Sequence, residues 1–208
     1  MKSKSGIMVV FEGTDGSGKT TVINGLKEYN TDLFNGECVY YHWRPGFIKK
    51  EGRSGGAVTE PHAKPAYGTL KSFAKFMFFN IDYVIGYFFN VKQELKNNRM
   101  VVFDRYYYDY YMDKLRYRLK ISNRTLDIFL RIIPKPDATF LLLADPDVLY
   151  QRKKEMSLAE IQRQCNALRI MEDKVHNAWI IDVNEPANTV IKKVADIIRE
   201  VYEKKMVK

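Results

Sequence analysis

The stretch Gly13 to Thr21 (GTDGSGKTT) has the residue types and spacing of a loop that grips phosphate: Gly13, four residues, then Gly18, Lys19 and Thr20. Gly13, Gly16 and Gly18 admit backbone conformations closed to residues with a Cβ, so successive N–H groups can converge on one anion. A helix starting near Lys19 would aim its free N–H groups and positive dipole end at the same point. Lys19 supplies a full charge for the β and γ phosphates of a nucleotide, and the Thr20 hydroxyl is placed to hold magnesium. Asp15, Ser17 and Thr21 complete the candidate set around the donor phosphates. The plain alternative, a glycine-rich turn in an unrelated α/β protein, is disfavoured because every fixed position matches and both flanks agree.

Those flanks belong to a regular alternation. The apolar run Ile7 to Phe11 reads as a buried strand, and the helix after the loop runs to about Tyr29. Glu37 to His42 (ECVYYH) is rich in β-formers and ends on Trp43, Arg44, Pro45, Gly46. Glycines and prolines keep residues 46–69 irregular. From Leu70 to Asn97 the apolar residues recur at helical spacing, with Gly86 as the weak point. Met100 to Phe103 is a buried strand closed by Asp104 and Arg105 and followed by the aromatic run Tyr106 to Tyr108. Helical stretches are expected at about Tyr108 to Leu119 and Arg124 to Ile133, then a strand over Ala138 to Ala144 and a basic helical piece, Val148 to Glu155. Ser157 with Glu160 is a capping-box start for a helix reaching about His176. A fifth strand, Ala178 to Val183, precedes an amphipathic helix from Asn184 to Lys205 with Pro186 in its first turn. This order implies an α/β fold: a five-stranded parallel sheet with helices on both faces. Ligands of such sheets lie beyond the carboxyl ends of the strands, where the loop, Arg44, Asp104, Arg105 and Arg152 would project.

At 208 residues the chain is read as a single domain, 1–208, without internal repeats or low-complexity segments. Its formal charge of +9 comes with no basic block longer than three residues and no nucleic-acid motif, so phosphate ligands rather than nucleic acid are the expected partners. The longest apolar stretch, Phe73 to Phe89, is interrupted by Lys75, Asn80 and Asp82 and reads as a largely buried helix rather than a membrane span. Cys38 and Cys165 are far apart and read as core thiols of a reducing, cytoplasmic compartment; the polar N-terminus has no signal-type segment.

Together these residues resemble the thymidylate kinase family of P-loop nucleoside monophosphate kinases. The likeness rests on FEGTDGSGKTT, Arg44 to Gly46 after a strand, VVFDRY at Val101 to Tyr106, a buried strand ending LLLADP, a basic lid-like piece, and a final strand with its helix. It implies a P-loop NTPase sheet that transfers the γ-phosphoryl of ATP, with magnesium, to a nucleoside monophosphate, dTMP being the default acceptor. Lys19 and Thr20 would bind the donor phosphates and magnesium. Asp104 would be the magnesium-side carboxylate, directly or through water, and Arg105 and Arg44 would clamp the acceptor phosphate. Asp15 matches an acidic position that meets the acceptor sugar or the metal. Gly16 stands where some members carry an arginine, so the catalytic arginine should come from a short lid at about 150–163, with Arg152 first and Lys153, Lys154 and Arg163 behind it.

The acceptor side departs from the family pattern. Where thymidylate kinases carry an aspartate-arginine pair this chain has Asp82 and Tyr83, and the DRY segment continues as Tyr107, Tyr108, Asp109, Tyr110, Tyr111. Residues 47–69, including TEPHAKP, are also unusual. The combination is similar to a divergent branch, some of whose members are associated with surface-polysaccharide genes. Arg44, Asp82, Tyr83, Arg105 and Tyr106 are the acceptor-side candidates; the tyrosine run is expected to be a packed wall, and His62 incidental. A phosphate acceptor needs no general base, whereas a hydroxyl acceptor would need a carboxylate, for which Glu12, Asp15 and Asp104 are candidates. The alternatives are therefore a kinase for a sugar or surface-polysaccharide precursor and a non-catalytic nucleotide-binding switch. A homodimer is left open.

Overall fold

In the computed structural model, residues 5–29, 32–36, 38–46 and 65–207 are described. The greater part of the 44–69 loop, with His62 and most of TEPHAKP, lies outside the described residues, as does Glu37 at the expected start of the second strand.

Five strands, β1 (Met8–Gly13), β2 (Val39–His42), β3 (Val101–Asp104), β4 (Ala138–Leu143) and β5 (Ala178–Asp182), form one sheet in the order β2-β3-β1-β4-β5. Every pairing is parallel. β1, β3 and β4 are buried along their whole length, which is why they read as unbroken apolar runs. Phe11 stacks on Phe140 with ring centroids 5.0 Å apart in the middle of this core. The register sets Phe11 and His42 beside Asp104 on either side, so the carboxyl ends of the three strands lie level at one edge.

The helices are α1 (Lys19–Gly25), α2 (Thr69–Gly86), α3 (Lys92–Lys96), α4 (Asp109–Met112), α5 (Asn123–Leu130), α6 (Pro146–Arg152), α7 (Leu158–Met171) and α8 (Ala187–Val207). Ser157 caps α7 by accepting the Glu160 N–H at 3.3 Å, as its spacing predicts. α7 ends at Met171 rather than near His176: beyond it the chain tightens into i→i−3 turns, the Glu172 N–H donating to the Arg169 carbonyl and the Lys174 N–H to the Met171 carbonyl.

Two larger differences from the sequence reading have local causes. The helix expected over 70–97 is interrupted by a π-helical turn, Tyr87–Val91. There Asn90 donates from its side chain to the carbonyls of Pro45 and Gly46, while a Cβ on Gly86 would lie 2.9 Å from the Pro45 ring and 3.0 Å from the Gly46 oxygen. The wide turn is where the helix yields to carry this contact. Second, the helix expected over 108–119 stops after one turn. The Asp113 carboxylate accepts the Arg116 backbone N–H at 3.0 Å and its Nε at 3.3 Å, offering the chain a turn in place of the helical ladder.

The stretch Phe73 to Phe89 is not largely buried. Phe76, Phe79, Tyr83 and Gly86 pack inward, while Leu70, Phe73, Phe78, Ile81, Phe88 and Phe89 are exposed along the opposite face. Among the described residues no helix is long and apolar enough to cross a membrane.

Candidate active site

The loop between β1 and α1 has the backbone its glycines allow. Gly16 and Gly18 have φ of 86° and 80°, in the left-handed region. At Gly16 the space is closed as well: a Cβ would lie 3.2 Å from the Leu149 carbonyl and 3.3 Å from the Lys153 Cβ. The C-terminal end of α6 therefore rests on the loop where a side chain would otherwise stand. Lys19 is buried under the loop, and its ammonium donates to the carbonyls of Gly13 at 2.8 Å and Thr14 at 3.0 Å. Burial, reinforced by the Arg105 charge and opposed by nearby carboxylates, brings its pKa down to about 8. Thr20 and Thr21 are exposed at the start of α1.

Strands β2 and β3 both leave the sheet through a residue with positive φ, Trp43 at 74° and Arg105 at 70°. Such residues are uncommon, and strain of this kind gathers at sites held by their surroundings. The Arg105 N–H donates to the Phe11 carbonyl at 2.9 Å, and the Trp43 N–H to the Asp104 carbonyl at 2.9 Å. Glu12, completely buried, fixes the next residue by accepting the Tyr106 N–H at 2.8 Å. Burial and the nearby Asp109 charge push the Glu12 carboxyl well above its usual range.

The buried Arg105 guanidinium binds Asp109 at 2.9 Å and is also ion-paired with Asp15. Asp15 is shared: its second oxygen accepts Arg116 Nη2 at 2.7 Å. One carboxylate at the loop thus joins two guanidiniums from the far side of the site. Burial alone would raise the Asp15 carboxyl, but Arg105 and Arg116 outweigh it and hold it well below the usual carboxylate range. Tyr117 donates its hydroxyl to Asp109, closing the network. The sequence reading missed Arg116, Asp109 and Tyr117; the Asp113–Arg116 spacing was the one available signal, and a helical reading of that stretch concealed it.

Asp104 has an asymmetric environment. Oδ2 accepts the Tyr40 hydroxyl at 3.1 Å and lies 3.6 Å from His42 Nδ1, whereas Oδ1 is buried with no hydrogen-bond partner among the described residues. Burial opposes its ionisation, but His42, Lys19 and Arg105 together keep its carboxyl below the ordinary value. An ionised carboxylate oxygen without a partner is a donor suited to a hard cation such as magnesium. Among the described residues no group of three or more histidine, cysteine, aspartate and glutamate side chains could hold a metal by itself, so a cation here would need phosphate oxygens or water to complete its shell.

Arg44 is ion-paired with Asp82 and lies 4.3 Å from the Trp43 ring centroid and 4.4 Å from that of Phe79. The carboxylate that stood out in an apolar helix therefore has its cation. Tyr83 and Tyr106 are fully buried, with hydroxyls donated to the carbonyls of Trp43 (3.2 Å) and Pro134 (2.9 Å). With Tyr107 and Tyr110 they form the wall behind the site. Of the lid residues, Arg152 donates to the Val183 carbonyl at 3.0 Å, Lys153 pairs with Glu155 at 3.0 Å, and Arg163 binds Glu160 and the Met112 carbonyl.

No family model matches the chain. It is 26% identical over 205 residues to a probable thymidylate kinase of Archaeoglobus fulgidus, covering 92% of this chain and 94% of that protein. Its structure matches that of a thymidylate kinase from Candida albicans with a TM-score of 0.65 at 17% identity, covering 95% of this chain and 94% of the other. The fold is that of the thymidylate kinases. A thymidylate kinase from Ehrlichia chaffeensis agrees, with a TM-score of 0.58 at 19% identity over 93% of this chain and 99% of that one. This thymidylate kinase fold brings the Gly13–Thr21 loop, Asp104, Arg105 and Arg44 to one edge of the sheet. It leaves Tyr83 and Tyr106 in the wall.

Proposed function

We propose that the protein is an ATP-dependent phosphotransferase that moves the γ-phosphoryl of ATP to a nucleoside monophosphate, with dTMP as the default acceptor. The observation that carries this reading is the Asp15 carboxylate held between Arg105 and Arg116 beside the phosphate-binding loop. In this reading Arg105 and Arg116 would exchange the Asp15 carboxylate for the acceptor's phosphate, whose oxygen is already anionic.

The same geometry disfavours a hydroxyl acceptor. Of the three carboxylates that could take a proton, Glu12 is sealed in the core and Asp15 is bridged by two cations, so neither is a free base. Asp104 is the carboxylate that this reading gives to magnesium. The likeness to thymidylate kinases along nearly the whole chain supports the same conclusion.

In this mechanism Gly13 to Thr21 would cradle the donor phosphates, with Lys19 leaving the Gly13 and Thr14 carbonyls to meet them. Thr20 and Asp104 would hold magnesium, which when bound neutralises charge on the phosphates. Arg105 and Arg116, with Arg44 nearby, would orient the acceptor. Arg152 would have to release the Val183 carbonyl to reach the transferring group. Positioning two polyanions in line is most of what phosphoryl transfer asks of a protein.

A sugar or surface-polysaccharide precursor is the second reading, favoured by one feature: α2 offers Tyr83, buried, where an acceptor-side arginine is expected. A coupled ATP-consumption assay with dTMP, other nucleoside monophosphates, nucleosides, sugars and sugar phosphates separates the readings. Magnesium-dependent turnover with a nucleoside monophosphate is expected. Stimulation by unphosphorylated sugars alone would overturn the proposal, and bound ATP with no stimulation by any acceptor would favour a nucleotide-binding switch.

Two finer points belong to this reading. Leu70, Phe73, Phe78, Ile81, Phe88 and Phe89 are exposed large apolar side chains on this segment, and apolar exposure of this kind suits a homodimer formed by two copies of α2. The wide separation of Cys38 and Cys165 in the sequence suits a reducing, cytoplasmic setting.

A further inference from the structure

β2 is one of the two edge strands of the sheet, and its side chains alternate: Val39 and Tyr41 turn partly inward, Tyr40 and His42 outward. The parallel register sets His42 beside Asp104 and Tyr40 beside Val102. Both outward side chains therefore approach the same carboxylate from the same face. Tyr40 is 51% exposed, yet its hydroxyl is not left to water; it donates to Asp104 Oδ2 at 3.1 Å. His42 Nδ1 lies 3.6 Å from that oxygen, too far for a hydrogen bond but close enough for electrostatic contact. Asp104 itself is 93% buried by its 7% exposure, and Oδ1 is the oxygen without a partner among the described residues.

A carboxylate on an sp³–sp² bond rotates broadly unless something fixes it. Here one oxygen is tied by a strand whose position the sheet dictates, and the other is left bare. Because a buried unpaired acceptor is costly, this asymmetry marks Oδ1 as the atom kept for a ligand.

We propose that Tyr40, with His42 beside it, is a positioning residue that holds Asp104 by Oδ2 so that Oδ1 faces the cation of a bound metal–nucleotide, directly or through its water. The inference rests on the reading of the loop as a nucleotide site but not on the identity of the acceptor. Partners of this kind outside the metal's own shell fix the orientation of its ligands, and their loss weakens metal binding by about 10-fold or more.

The test needs no acceptor. Mn²⁺ binding to the protein–ADP complex is titrated by electron paramagnetic resonance for the wild type, Tyr40→Phe and His42→Gln, with ADP affinity in excess EDTA measured alongside. Tyr40→Phe is expected to weaken Mn²⁺ in the ternary complex about 10-fold, His42→Gln less, and neither to change metal-free ADP affinity. Unchanged Mn²⁺ affinity in Tyr40→Phe would overturn the positioning role. Equal loss of metal-free ADP binding would also overturn it, because the ring would then be supporting the loop in general. Failure of the wild type to bind ADP at all would overturn the nucleotide-site reading itself, and the inference with it.

Discussion

Glu12 Oε1 accepts the Tyr106 N–H at 2.8 Å, tying the end of β1 to the residue after the strained Arg105. The bond uses only acceptor capacity, which a neutral amide also has. Since burial raises the folded-state pKa of Glu12, folding takes up a proton above the ordinary carboxylate value. The associated stability is present at low pH and is lost as pH rises through the folded-state pKa. Glu12→Gln should therefore flatten the decline of stability with rising pH while keeping the fold. Urea unfolding of both proteins from pH 5 to 9 checks this, and parallel pH profiles would count against a protonated Glu12.

Lys19→Ala removes the one buried ammonium of the loop. Loss of a preorganised charge at a transferring phosphoryl group costs about 10²- to 10³-fold in rate or more. Steady-state turnover near that of the wild type would refute the assignment of the loop.

Arg116→Met leaves Asp15 with Arg105 alone. If the two guanidiniums meet the acceptor's phosphate, the acceptor KM should rise about 10-fold, the equivalent of one charge-assisted hydrogen bond, with ATP KM little changed. Calorimetric titration with dTMP and thymidine sharpens the point: only the phosphorylated ligand should lose affinity. Equal losses for both would assign Arg116 to the fold rather than to phosphate.

Most of the scaffold was legible because buried parallel strands leave a strong mark. The runs 7–11, 100–103 and 138–144 contain no polar face to confuse, and Ser157 with Glu160 announced its own cap. The tyrosine wall was legible too, since so many adjacent large rings find room only in a core. What stayed hidden depends on contacts between distant segments. Nothing local in Asn90 reveals that it will bind the Pro45 and Gly46 carbonyls and widen α2, and nothing in Tyr40 reveals that Asp104 will stand beside it. Arg116 was hidden for a different reason: the helical pattern of 108–119 is real, but the Asp113 side chain competes successfully for the backbone.

Gly86→Ala tests the contact that reshapes α2. The added methyl would meet the Pro45 ring at 2.9 Å and the Gly46 oxygen at 3.0 Å, the second being backbone that cannot swing away. A cost of about 1–3 kcal/mol is expected from overpacking, together with a raised acceptor KM as the turn carrying Arg44 shifts. Chemical denaturation and kinetics measure the two effects. A more stable variant would mean that helix propensity outweighs the clash.

The left-handed Gly16 under the Leu149 carbonyl has a historical consequence. A side chain at position 16 would have to adopt a left-handed φ and displace the end of α6 slightly, and α6 carries Arg152. Loop and lid are therefore not free to evolve separately: descendants that gain an arginine at position 16 should show compensating change near position 149. Two segments far apart in the chain would then be inherited as a single trait.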